Sequence, residues 1–129
     1  MKKLVVLLVV LASCSGSEKE KTLLSPKEFQ AKLAATPGAM LIDVRMRDEV
    51  LEGYVKGAVN FDFKLPEFNQ LIAGLDKSKP YFVYCASGVR SGKAAEKMRD
   101  LDFQHVYLLD GGLKAWKAEG LPVATQSQN

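Results

Sequence analysis

The sequence predicts an α/β fold, a single domain built on a parallel sheet flanked by helices on both faces. Three observations predict it. Short apolar runs of four or five residues alternate with stretches of helical periodicity, glycine or proline marks most junctions between them, and no internal repeat interrupts the pattern.

Taken in order, Ser25-Pro26-Lys27-Glu28 supplies an N-cap hydroxyl, a proline at the first helical position and a glutamate at the third. A helix is expected from there to about Ala35, with Phe29 and Leu33 on one side, and Thr36-Pro37-Gly38 breaks it. Met40-Leu41-Ile42-Asp43-Val44 reads as a buried strand with a charged exit at Arg45, and Arg47 to Glu52 as a brief helix. Gly57-Ala58-Val59-Asn60-Phe61 reads as a second strand, and Pro66 to Leu75 as a helix turning Phe68, Leu71, Ile72 and Leu75 inward. The strand Tyr81 to Tyr84 delivers Cys85, and a helix from Ser91 to Leu101 follows, with Ala94, Ala95, Met98 and Leu101 on one face. Val106 to Leu109 is the next strand, Asp110-Gly111-Gly112 a turn, and Leu113 to Glu119 a last helix stopped by Gly120 and Pro122. Sheets of this kind have right-handed crossovers and bind ligands beyond the carboxyl ends of their strands, where Cys85 and Arg45 both fall.

The N-terminus has a different character. Lys2 and Lys3 precede an apolar stretch from Leu4 to Ala12, far short of the ~20 residues a membrane-spanning helix needs, and small residues then lead into Cys14. Residues 1–13 are expected to be a signal peptide. Leu11-Ala12-Ser13-Cys14 resembles the lipobox of bacterial lipoproteins, which implies that Cys14 becomes the lipidated first residue of an exported, membrane-anchored protein. With Ser15 next, the lipoprotein rule favours the periplasmic side of the outer membrane where the cell envelope has two membranes. Residues 14–22 are small, polar and alternately charged, the composition of a flexible tether, leaving 23–125 as the domain and 126–129 as a tail.

The net charge of +3 falls to +1 without Lys2 and Lys3, so no basic footprint for nucleic acid remains. His105 is the only histidine, which leaves no metal-ligand cluster and no expected metal or cofactor, and it reads as the start of a strand. With Cys14 taken by lipid, Cys85 has no thiol partner, which excludes an internal disulfide and dithiol redox chemistry.

Cys85 is the residue to which chemistry points. It ends an apolar strand and is followed by Ala86-Ser87-Gly88-Val89-Arg90-Ser91, a turn that leads directly into a helix. Such a loop directs backbone N–H groups and the positive end of a helix dipole at one point, and Gly88 permits the tight curl. Cys85 is therefore expected to titrate low, with Ser87 and Ser91 as further donors and Arg90 supporting the loop from behind. For Arg45 two readings stand: steering an anionic donor, or a surface pair with Asp48 or Glu49. Asp43 is expected to buttress the loop or cap a turn, Lys93 to be solvated, and Trp116, Leu113, Tyr81, Phe82 and Tyr84 to pack in the core.

With these segments in hand, the chain resembles the rhodanese superfamily from about Leu24 to Val123. The likeness is carried by Leu41-Ile42-Asp43-Val44-Arg45, by Glu52-Gly53-Tyr54-Val55-Lys56-Gly57-Ala58-Val59-Asn60 (with Tyr54 where the family usually has His), by the Cys85 loop, and by Gly111-Gly112 with Trp116, Gly120 and Pro122. The resemblance implies a single rhodanese-like domain with a five-stranded parallel sheet, and Cys85 as carrier of a transferred sulfur. It implies a thiosulfate sulfurtransferase-type enzyme, needing a small-molecule sulfur donor and a thiophilic acceptor, and acting as a monomer. The six residues Cys85 to Arg90 fit the sulfurtransferase loop, one residue shorter than in related phosphatases and arsenate reductases. A non-catalytic rhodanese-like binding module and an oxyanion enzyme are the alternatives.

Overall fold

The computed structural model describes residues 19–126, so the expected signal peptide and Cys14 lie outside the described residues. In chain order the elements are β1 (Leu23–Leu24), α1 (Pro26–Ala35), β2 (Met40–Asp43), α2 (Arg47–Glu52), β3 (Val59–Asn60), α3 (Phe68–Ala73), β4 (Pro80–Tyr84), α4 (Val89–Asp100), β5 (His105–Leu109) and α5 (Gly112–Ala118). The strands form one parallel sheet in the order β1-β5-β4-β2-β3.

The central strand explains why both faces must be covered. Successive side chains of a strand point to opposite sides, and in β4 both sets are apolar. Tyr81 and Val83, with Cys85 beyond the strand end, join Ile42, Val44 and Val106 under α3 and α4, where Phe68, Ile72, Ala94, Ala95 and Met98 close the layer. Phe82 and Tyr84 turn the other way, to Leu41, Tyr107 and Leu109 beneath Phe29 of α1 and Leu113 and Trp116 of α5. Phe29 meets the Phe82 ring edge-on at 5.3 Å between centroids, so α1 is locked to the middle of the sheet.

Local signals set the helix ends. Ser25 Oγ accepts from Glu28 N at 3.3 Å and Ser25 N donates to Glu28 Oε1 at 3.1 Å, the reciprocal cap expected of Ser25-Pro26-Lys27-Glu28. At the far end of α4 the chain turns through Asp102, whose φ of +68° is left-handed, and Phe103 enters the core. Leu101, expected inside, is thereby left as the helix cap and is exposed.

β1 has no strand signature in the sequence, being two residues paired with Leu108 and Leu109 at the sheet edge. Three further expectations are corrected. Only Val59–Asn60 of the expected second strand pairs, and Val59 is exposed. α3 spans six residues, so its inward stripe is Phe68 and Ile72 alone and Leu71 faces solvent. Glu20 to Thr22, assigned to the tether, lie against the domain: Glu20 accepts from the Tyr107 hydroxyl and pairs with Lys32, and Thr22 O accepts from Leu108 N.

Candidate active site

The parallel register sets Asp43 of β2 against Tyr84 of β4, so the chain leaves two adjacent strands at one level and Arg45 and Cys85 emerge side by side. After β4 the chain curls through Ala86, Ser87 and Gly88, whose φ is +107°, and enters α4 at Val89. The helix thus begins two residues earlier than the sequence suggests. Gly88 turns the chain into it directly, so Val89, Arg90 and Ser91 belong to its first turn.

Cys85 is buried and is the free cysteine among the described residues. Gly88 N donates to its Sγ at 3.1 Å, and Ser91 Oγ lies 3.3 Å from the same sulfur and 3.3 Å from Gly88 O. The hydroxyl is within reach of both acceptors, and a thiolate, which can only accept, would take its proton. Burial pushes the Cys85 thiol up, but the Ser91 hydroxyl and the N–H groups of Ser91, Gly88 and Ser87 outweigh it, and the net shift is downward from the ordinary thiol value.

The outer side of the loop is held by α5. Leu113 N donates to Cys85 O at 2.8 Å and Lys114 N to Ala86 O at 3.0 Å. This contact requires Gly112, whose φ is +63° and where a Cβ would stand 2.6 Å from the carbonyl atoms of Ala86 and from Cys85 O. Gly112 is thus explained by the backbone it must approach, and Gly111 by its φ of +74° and by the Ala115 Cβ, 2.6 Å from where a Cβ of its own would stand.

Neither reading of Arg45 survives. Its side chain is buried, and its guanidinium grips the Asp43 carboxylate through Nε at 3.0 and 3.1 Å and Nη2 at 2.7 Å, with further bonds to Gly53 O at 2.7 Å and Glu49 O at 3.3 Å. Burial works against its charge, yet Asp43 more than offsets this and the Arg45 pKa is raised. Asp43 also accepts from Arg45 N at 3.0 Å, the turn cap expected of it.

Arg90, expected to support the loop, is engaged from outside it. It forms a two-pronged ion pair with Glu49 of α2, at 2.6 and 2.9 Å, and that carboxylate, together with the nearby Cys85 charge, keeps the guanidinium firmly protonated. Glu49 therefore ties α2 to both strand exits, through its carbonyl to Arg45 and its side chain to Arg90. Sequence reasoning considered Glu49 only as a surface partner of Arg45, because a contact 41 residues apart leaves no local signal.

Of the other expected site residues, Ser87 and Val89 are exposed at the loop rim, Ala86 is half-buried, Lys93 is solvated and His105 opens β5. Trp116 is buried in the core, and its Nε1 donates to Pro122 O at 2.9 Å. The Tyr84 hydroxyl accepts from Val55 N at 3.0 Å, and burial first, then the neighbouring Asp43 charge, raises its pKa. No group of three or more His, Cys, Asp or Glu side chains that could hold a metal converges among the described residues.

Comparison with known proteins places this geometry in a family. Residues 25–119 match the model of the rhodanese-like domain. The Bacillus subtilis protein YqhL is 32% identical over 123 residues, covering 90% of this chain and 94% of its own. The putative sulfurtransferase YtwF of the same species is 32% identical over 99 residues, covering 77% and 93% of the two chains. The thiosulfate sulfurtransferase GlpE of Coxiella burnetii is 35% identical over 80 residues, covering 61% and 72%. The crystal structure of a rhodanese-related protein from Thermoplasma volcanium superposes with a TM-score of 0.72 at 25% identity, covering 82% of this chain and all of that one. The chain is a single rhodanese-like domain, a member of the family that includes these sulfurtransferase-type proteins.

Proposed function

We propose that the protein is a thiosulfate-type sulfurtransferase that carries sulfane sulfur on Cys85. The observation that carries this reading is the convergence of donors on a buried sulfur whose titration is lowered, with no disulfide partner among the described residues.

In the first half-reaction the Cys85 thiolate attacks the outer sulfur of thiosulfate. A bond forms between the two sulfurs, the bond to the sulfonate sulfur breaks, and its electron pair leaves with sulfite. The product is an enzyme persulfide anion, Cys85–S–S⁻, stabilised by the N–H groups that held the thiolate. In the second, a thiophilic acceptor attacks the outer sulfur and Cys85 leaves as a thiolate. No general base is needed, because the loop supplies the ionised nucleophile. Arg90, engaged by Glu49, contributes a fixed positive field at the loop rather than a contact to the reacting atoms.

Cys85→Ser is expected to abolish transfer from thiosulfate to cyanide while leaving the fold intact. Mass spectrometry of the donor-treated protein is expected to show one added sulfur atom on Cys85. An unmodified thiol and no turnover would sink the enzyme reading.

We also propose that residues 1–13 are removed and that lipid on Cys14 anchors the domain in the bacterial cell envelope, on the periplasmic side of the outer membrane where two membranes are present. The basic start, apolar centre and small residues before Cys14 support this. Cys14→Ser is expected to shift the protein out of the membrane fraction and stop incorporation of labelled palmitate. Labelling that persists would refute the anchor.

A further inference from the structure

In a parallel sheet every strand starts at one pole of the domain and ends at the other. Cys85 lies just past the end of β4, so the sulfur belongs to the pole where strands end. The N-terminal segment belongs to the opposite pole. It feeds into the start of β1, with Thr22 O accepting from Leu108 N at 2.7 Å and Leu23 registered beside Leu108. Glu20 is held there by the Tyr107 hydroxyl at 2.6 Å and by Lys32 Nζ, in the last turn of α1, at 3.1 Å. The turns that lead into β4 and β5 share this pole and are joined to each other, since Gln104 N donates to Lys77 O at 3.0 Å. Lys77, Lys79, Gln104 and His105 are all exposed on it.

How far this pole can stand from a membrane depends on where the chain first becomes attached to the domain. With Glu20 to Thr22 held, five peptide steps separate Cys14 from Lys19, a reach of at most about 18 Å. A compact domain of about a hundred residues has a radius of gyration of ~13 Å and is therefore about 34 Å across. Turning the Cys85 pole onto the bilayer would carry Lys19 about that far from the lipid, nearly twice what the leash spans. A chain unattached as far as Thr22 would reach about 29 Å and come close to allowing it. Charge does not set the orientation, because Lys77, Lys79 and His105 share the pole with Asp76 and Asp102 and each lysine near a lipid surface is worth only about 1 kcal/mol.

We propose that the pole around Lys77, Lys79 and Gln104 is the membrane-facing surface of the anchored protein, its partner a layer of phospholipid headgroups, and that the short leash holds the Cys85 loop away from the bilayer. The proposal rests on the Cys14 anchor proposed above and is independent of the chemistry at Cys85. Sulfur donors and acceptors then arrive from the aqueous side, and molecules confined to the bilayer stay out of range of the sulfur.

The test uses the full chain with Cys85→Ser, taken from the membrane fraction into vesicles of phosphatidylethanolamine and phosphatidylglycerol, part of the lipid bearing a nitroxide on its headgroup. A single added cysteine carries a fluorophore, in Lys79→Cys or Gln104→Cys at one pole and in Ser87→Cys or Val89→Cys at the other. The nitroxide is expected to remove most of the fluorescence at residues 79 and 104 and to leave that at 87 and 89 nearly whole. Equal quenching at both poles, or stronger quenching at the loop, would overturn the proposal. A second variant addresses the leash: about twenty Gly and Ser residues inserted between Glu18 and Lys19 add roughly 25 Å of mean reach and are expected to narrow the contrast. An undiminished contrast would overturn the leash as its cause. If the chain does not float with the vesicles, the anchor has failed and the orientation with it; if it floats and the contrast is missing, the orientation fails alone.

Discussion

The chain leaves β2 and β4 side by side, and the two exits use the same materials to opposite ends. At the β2 exit, Asp43 and Arg45 are buried and turn their charges on each other, with Gly53 O and Glu49 O taking further guanidinium donors. Asn60 Nδ2 closes the exit by donating to Asp43 O at 2.9 Å and Arg45 O at 2.8 Å. At the β4 exit the donors converge on a sulfur that has no opposite charge bonded to it. A polar cluster saturated from within holds the fold in place, whereas convergent donors around an unpaired nucleophile hold an anion ready. The contrast separates architecture from chemistry more clearly than residue type does, since an arginine and a carboxylate beside a strand end would ordinarily suggest a binding site.

The largest expected effect lies at the β2 exit. Asp43→Ala leaves a buried guanidinium without its counter-ion and is expected to cost about 3–5 kcal/mol in urea denaturation. Replacing both partners, Asp43→Ala with Arg45→Met, is expected to cost less than Asp43→Ala alone. Equal losses would show that the pair is not the source of the stability.

Next comes the contact that joins the β4 exit to α5. Gly112→Ala puts a methyl group 2.6 Å from carbonyl atoms that cannot retreat without moving Cys85, so a loss of about 1–3 kcal/mol is expected. A rise in the pH midpoint of Cys85 alkylation should accompany it. Stability loss with an unchanged midpoint would show that the loop keeps its shape without this approach.

The smallest effect is the most local. Ser91→Ala removes one donor to the thiolate and is expected to raise the Cys85 midpoint by about one pH unit, read from alkylation rates or thiolate absorbance. The sign follows from the lowered folded-state value. The thiolate's contribution to stability is fully present above the unfolded thiol pKa and is lost as pH falls through the lowered one, so the variant's deficit relative to the parent should grow as pH rises through the lowered pKa and level off above the unfolded one.

The sequence reading was strongest where structure is local. Ser25-Pro26-Lys27-Glu28 caps α1 as expected, and the apolar runs at Met40, Tyr81 and Val106 became strands, because caps and strand runs are written within a few residues. β1 was invisible because two residues carry no periodicity. Its place depends on β5, some eighty residues on. The descent of Cys85 titration was legible from strand, glycine and helix together. The inward turn of Arg45 has a local signal: Asp43 and Arg45 are two residues apart in an extended segment and so share one face. Arg90 with Glu49 has no such trace, since helices distant in the chain meet only after the sheet has formed.

The two bonds from the start of α5 to the Cys85 and Ala86 carbonyls bear on how the site works. The cradle is main chain, clamped on one side by a helix and continuous with the sheet on the other, so a sulfur arriving as proposed would land where the N–H groups already point. Charged and uncharged forms of the carrier should therefore superpose atom for atom, and the pace of exchange would be set by encounters with small molecules rather than by any opening or closing of the protein.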